Sequence, residues 1–243
     1  MSETLSDYAR LLSQKELDAL LKQANQAASL RKIETYYPDQ GPLRRELYPK
    51  HLEFFKAGNE HRERLMLAAN RIGKTESVGG YEVVVHATGD YPDWWPGRQF
   101  DHPVKIWAAG DTSNTVRDIL QSKLLGAIGE FGTGLIPKKN IERVTWKRNV
   151  PEAVQDIYIT HRLGRSILTL KSYDQGRESF QGTEQDVIWL DEEPPMAIYA
   201  ECLLRTMTTN GTVLCTFTPL LGLSEVVLSF LPGGKLPDQS QHT

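Results

Sequence analysis

Two groups of residues in this chain have the types and spacing to handle a polyphosphate and a divalent cation. The first is Ala68-Ala69-Asn70-Arg71-Ile72-Gly73-Lys74-Thr75. A Gly-Lys-Thr run between an apolar strand pattern and a helical pattern forms a loop where backbone N–H groups and the positive end of a helix dipole meet phosphates. Gly73 lets the backbone approach without a Cβ. Lys74 has the reach for the β- and γ-phosphates, and the Thr75 hydroxyl is an oxygen donor suited to Mg²⁺. The nucleotide-binding segment is therefore expected to comprise Ala69, Asn70, Arg71, Ile72, Gly73, Lys74, Thr75 and Glu76. Ala68 stands where the first glycine of the general pattern is usual, and a Gly-Lys-Thr tripeptide opening an ordinary helix is the bland alternative. Arg71 suits either catalysis in cis, by stabilising charge on the γ-phosphate, or an ion pair pointing away.

The second group is Val187-Ile188-Trp189-Leu190-Asp191-Glu192-Glu193. Four apolar residues place Asp191 at the carboxyl end of a buried strand, the edge of an open α/β sheet at which ligands bind. Asp191 is expected to hold Mg²⁺ through water, and Glu192 to orient and deprotonate an attacking water. Acids followed by Pro194-Pro195 also make a solvated turn, but the apolar strand before them argues against that reading. A metal-free carboxylate beside a metal-binding one calls for water as the nucleophile, which points to an ATPase rather than a small-molecule kinase.

Helices and strands must bring these groups together. Leu65 to Ala69, Val104 to Ala109, Val187 to Leu190 and Thr212 to Phe217 read as apolar strands, with helices over 75–87, about 112–127 and 196–208 between them. Strands apolar on both faces and alternating with helices predict a mostly parallel sheet covered on both sides. Ile157 to Thr160 and Ser166 to Leu170 flank a turn containing Gly164 and predict an antiparallel hairpin addition. The aromatic segment from Gly89 to His102 predicts a packed loop over the sheet edge, with a nucleotide or partner contact as the alternative. The first ~34 residues predict a helix, with Ser13 to Glu16 spaced as a capping box and Leu17, Leu20, Leu21, Ala24 and Ala28 on one face. The turn-rich stretch from Tyr37 to Pro42 ends it.

The chain has 243 residues, enough for a sizeable core, and ordinary proportions of apolar (40%) and charged (24%) residues. A net charge of −3 gives no global positive field, so nucleic acid must be met by a local basic face. Cys202 and Cys215 lack metal-ligand spacing and are expected to be buried thiols in a reducing compartment. No run approaches the ~18 apolar residues of a membrane span, and the polar N-terminus lacks a signal core.

In order, these pieces resemble the large terminase subunits of tailed bacteriophages, the motors that pump DNA into procapsids, over roughly residues 43–222. Ala69 to Thr75 is similar to the divergent terminase phosphate loop, which often lacks the first glycine and carries an arginine. Ile188 to Glu193 resembles the terminase acidic strand with its catalytic glutamate. Thr216-Phe217-Thr218-Pro219 resembles the coupling motif, in which hydroxyls (here Thr216 and Thr218) sense the γ-phosphate and relay hydrolysis to movement; a strand ending at a proline is the alternative. Leu47 to Phe55 resembles the adenine-binding segment, with His51 where glutamine is usual and Tyr48 available for stacking. Ser172 to Gly182 resembles the polar loop shared with helicases, which makes Arg177 a candidate finger acting on a neighbouring subunit; a surface ion pair is its other reading.

The resemblance implies a P-loop NTPase of the ASCE, RecA-like kind, with an N-terminal helical extension (1–42), an ATPase core (43–222) and a tail (223–243). It implies ATP and Mg²⁺ as cofactors, and double-stranded DNA, a homo-oligomeric ring on a portal protein and a small terminase subunit as partners, in the host cytoplasm with no membrane. Terminases also carry a nuclease domain. After Thr218 the acids here are only Glu225 and Asp238, too few for a two-metal site, so the motor half alone is expected. Lys138, Lys139, Arg143, Lys147 and Arg148, with Trp146 among them, fall within eleven positions and suit either a phosphate-tracking patch or a solvated basic face. Two other functions fit some of the motifs. A helicase-like ATPase needs a second RecA-like domain, and a nucleotide-gated docking module has no need of Glu192.

Overall fold

The computed structural model describes residues 14–69, 73–219 and 222–231. Seven strands form one sheet: Glu63–Leu67 (β1), Lys105–Gly110 (β2), Ile141–Trp146 (β3), Val154–His161 (β4), Gly164–Ser172 (β5), Val187–Asp191 (β6) and Thr212–Phe217 (β7). Their order is β1-β7-β6-β2-β5-β4-β3. From β1 through β5 all neighbours are parallel; β5, β4 and β3 pair antiparallel. Every residue of β6 and β7 is buried, as strands covered on both faces must be.

The helices are Gln14–Ser29 (α1), Pro49–Ala57 (α2), Tyr81–Thr88 (α3), a composite of Ser113–Thr115, Val116–Gln121 and Ser122–Leu125 (α4), Met196–Arg205 (α5) and Glu225–Ser229 (α6). A stretch of wide, π-helical turns, Lys74–Gly80, precedes α3 without a break. One core layer packs α2, α3, the α4 composite and the 89–100 loop on one face of the sheet; a second packs α5, α6 and the Arg177–Phe180 turn on the other. The aromatic loop lies over these helices, with Trp95 buried 4.8 Å from the ring of Phe55. Cys202 and Cys215 are buried free thiols in the second layer.

The phosphate-loop helix is seated by close backbone approach and one buried ion pair. A Cβ on Gly79 would lie 2.2 Å from Trp189 Nε1, so only glycine lets the helix settle onto β6 there. Arg64 on β1 donates to both carboxylate oxygens of Glu82 on α3, at 3.1 and 2.6 Å, and to the carbonyl of Phe54 on α2. Burial is the largest influence and works against the Glu82 charge, but the Arg64 guanidinium and the His86 ring together outweigh it and hold the carboxyl below its usual range.

Two features differ from what the pattern alone predicts. The segment upstream of residue 43 is not simply appended: Tyr37 is 2% exposed within the main core. The basic segment is an edge strand, β3, whose bulged register with β4 masks the period-2 pattern. Lys138 and Lys139 lie in the turn before it and Lys147 and Arg148 after it; Arg143 lies 3.4 Å over the Tyr158 ring, while Trp146 stacks on Phe131.

Candidate active site

The strand order puts β7 between β1 and β6, so three carboxyl ends converge: the one that opens the phosphate loop, the acidic one and the one carrying Thr216. Asp191 is the centre. Its Oδ1 accepts from Thr75 Oγ1 at 3.0 Å and from Thr216 Oγ1 at 2.8 Å. Trp189 Nε1 in turn donates to Thr216 Oγ1 at 2.7 Å, which orients that hydroxyl toward Asp191. Lys74 Nζ donates to Thr218 Oγ1 at 2.7 Å, and Thr218 Oγ1 donates to the Ala68 carbonyl at 2.8 Å. Gly73 has φ +85°, the left-handed turn expected of a glycine entering the helix. Asn70, Arg71 and Ile72 lie outside the described residues.

Burial pushes Asp191 up to about 7, with the neighbouring Glu192 charge adding to the rise and the Thr216 and Thr75 hydroxyls and Lys74 opposing it. The chain therefore holds a carboxyl whose charge is incompletely matched by its protein neighbours, on the order of a few kcal/mol in cost. The folded-state value is above the unfolded one, so between roughly pH 4 and 7 the folded chain keeps a proton that the unfolded chain has released. Stability falls as pH rises across that window and levels off above it. Asp191→Asn, neutral throughout, is expected to raise the melting temperature of the nucleotide-free protein by roughly 5 °C at pH 8, with a smaller gain at pH 5. Scanning calorimetry at both values checks this; an equal shift at both would show that the charge is not the source.

Glu192 has φ +66°, a left-handed conformation costly for a residue with a Cβ. It is held there from both sides. Its N–H donates to the Thr216 carbonyl at 3.2 Å, and the Tyr173 hydroxyl reaches the carbonyls of Asp191 and Glu192 at 3.1 and 3.0 Å. Tyr173 follows β5, which is separated from β6 by β2. The intervening strand ends at Gly110, where even a Cβ would come within 3.6 Å of the Asp191 carbonyl. Neither Tyr173 nor Trp189 carries a local signal of this role, because both act through tertiary contacts.

The remaining predicted residues lie around this centre. Ala69 is exposed at the mouth of the loop. Glu76 is paired with Lys32 and Lys123. His51 is buried on α2, and its ring stacks with Tyr48 at 5.2 Å. His51 also lines a cavity of about 650 Å³ along the β1 edge that reaches Ala68 and includes Phe54, Met66 and Phe230. Arg177 is bound to the buried Glu201 at 3.0 Å, so the described conformation is that of an ion pair. Glu201 keeps a second partner in Arg205, also at 3.0 Å.

A parallel sheet, a phosphate loop between β1 and its helix, and an acidic pair two strands away define the P-loop nucleotide-binding fold. Residues 65–235 match the family described as the N-terminal part of the T4-like-virus type of terminase large subunit. The chain belongs to that terminase large-subunit family. It is 35% identical over 255 aligned positions to a terminase large subunit of Salmonella phage P22, covering 93% of this chain and 50% of the relative. The chain thus spans about half the length of that curated relative. Among solved structures, it is similar to a large terminase from a thermophilic bacteriophage (13% identity, 79% of this chain and 38% of that one, TM-score 0.46). It is also similar to a large-terminase ATPase domain of Thermus phage P74-26 (14%, 72% and 69%, TM-score 0.46). No helix among the described residues is long and apolar enough to cross a membrane.

Proposed function

We propose that this domain binds ATP with Mg²⁺ and hydrolyses it to drive double-stranded DNA into a phage procapsid. The observation that carries the reading is the single network joining Thr75, Asp191 and Thr216 beside the Lys74–Thr218 pair. Hydroxyl and carboxylate oxygens 3.0 Å apart are the donor chemistry Mg²⁺ takes alongside phosphate and water. Bound there by Thr75 and Asp191, Mg²⁺ would supply neutralisation of charge on the β- and γ-phosphates. Lys74 binds the γ-phosphate, and Glu192, off the metal and fixed by its backbone, takes the proton of the attacking water.

Coupling runs through Lys74, which links the helix after the phosphate loop to the end of β7. It donates to Thr218, whose own proton goes to Ala68 at the root of the loop. A γ-phosphate draws the Lys74 ammonium toward itself, so gain and loss of that phosphate rearrange the end of β7. Arg71 contributes charge in cis. Arg177 acts on a neighbouring subunit of a ring, and Arg205 keeps the buried Glu201 paired when Arg177 leaves. In base recognition, His51 faces the cavity and Tyr48 stacks behind it. DNA, a portal protein and the small terminase subunit are the partners this reading requires, in the host cytoplasm.

Phosphate release from ATP, with and without double-stranded DNA, tests the proposal. Turnover that requires Mg²⁺ and rises with DNA and with protein concentration is expected. Absence of both nucleotide binding and phosphate release would refute the ATPase reading, and DNA-independent turnover would refute the coupling to DNA.

A further inference from the structure

The first turns of the phosphate-loop helix are unusual. Over Lys74–Gly80 they are π-helical, and the Tyr81 N–H reaches back to Glu76 O, one residue further than an α-helix allows. Such widened turns are rare and persist where outside contacts hold them. One anchor is the Trp189 ring, which occupies the space a Cβ on Gly79 would fill. The others come from a strap of chain upstream. Lys32 pairs with Glu76, and the Tyr36 ring packs against those of Tyr37 and Tyr81. Tyr37 goes deeper: its hydroxyl contacts Ser77 O at 2.5 Å and His51 Nδ1 at 2.8 Å.

The proton positions in that contact follow from donor and acceptor chemistry. A carbonyl only accepts, so the single phenol proton goes to Ser77 O. His51 Nδ1–H must then donate to the phenol oxygen, which fixes the ring's tautomer. The hydroxyl is thus a pin between α2 and a backbone carbonyl two residues after Thr75. Because the Trp189 indole also donates to Thr216, and Thr216 to Asp191, the pin and the indole set the phase of the helix against the acidic strand. The result is the 3.0 Å approach of Thr75 Oγ1 to Asp191.

We propose that Tyr37 is a positioning residue for hydrolysis, its hydroxyl holding the turn that presents Lys74 and Thr75, so that the strap over residues 32–37 is a working part of the ATPase. This rests on the ATPase reading given above. Tyr37→Phe in the full chain keeps the ring contacts with Tyr81, Tyr48 and Phe55 and removes only the pin. The expected result is a kcat about tenfold lower, a severalfold higher Mg²⁺ concentration for half-maximal rate, and little change in KM for ATP. Amide exchange over residues 74–82 is expected to be about tenfold faster, since a buried hydrogen bond is lost. A merely structural role would lower the melting temperature and leave the Mg²⁺ dependence in place.

Lys32→Ala, which removes the strap's ion pair with Glu76, gives a second and milder variant should Tyr37→Phe fail to fold; the Mg²⁺ requirement is expected to shift in the same direction. Values of kcat and Mg²⁺ half-saturation within twofold of wild type in the folded variants would overturn the inference, as would unchanged exchange over residues 74–82. Wild-type protein that neither binds nor hydrolyses ATP would instead overturn the functional reading, and the exchange measurement would still decide whether the pin holds the turn.

Discussion

Lys74→Ala is expected to remove ATP binding and turnover together. The Lys74 side chain is 5% exposed, so its ammonium acts where water screens little, and among the described residues no other basic group takes its place in the Asp191–Thr216–Thr218 network. A charge-assisted hydrogen bond of this kind stabilises phosphate by about 1.5–3 kcal/mol in binding, with more in the transition state as charge shifts onto the γ-phosphate. Affinity should fall by at least about tenfold and turnover by about 10³-fold. The variant also strips a compensating charge from beside Asp191, pushing that carboxyl still further from ionisation and so weakening the proposed Mg²⁺ site. Titration with a fluorescent nucleotide, beside phosphate release and a melting curve, separates these effects from unfolding. A folded variant with turnover within threefold of wild type would remove Lys74 from the mechanism.

Glu192→Gln is expected to have the opposite profile: ATP affinity close to wild type, and kcat lower by about 10²–10⁴-fold. The substitution is nearly isosteric and leaves the backbone bonds to Thr216 and from Tyr173 in place, so binding groups are untouched. What is lost is the acceptor for the proton of water. Glu192→Gly separates chemistry from strain, because it relieves the cost of φ +66° while also removing the carboxylate. It should be as inactive as Glu192→Gln, yet resist heat better. If Glu192→Gln hydrolysed ATP at the wild-type rate, the base would have to be sought elsewhere, with Glu193 the first alternative.

These expectations draw on the two kinds of information unequally. The phosphate loop, the acidic pair, the buried strands and the β4–β5 hairpin are legible because each is a local pattern: residue type repeating at period 2 or 3.6, or a tripeptide at a strand-to-helix junction. Thr212 to Phe217 reads as a strand over the same residues the fold shows. Strand β3 does not, because its bulges break the alternation and its basic residues read instead as a patch. Arg177 is readable as either a finger or an ion pair; the fold shows the ion pair with Glu201, and its role toward a neighbour is a proposal about another state of the assembly.

What the sequence by itself determined is which groups have the chemistry to meet phosphate, metal and water, since that chemistry follows from side-chain type and from the short-range pattern placing each group at the end of a strand. Only the tertiary structure decided that β7 lies between the other two strands, and so that Thr75, Thr216 and Asp191 share one network. The same holds for the two tyrosines. Tyr37 and Tyr173 are separated by many residues from the backbone atoms they hold, and their hydroxyls acquire a function only when burial removes water as a competing partner and the fold sets those carbonyls within reach.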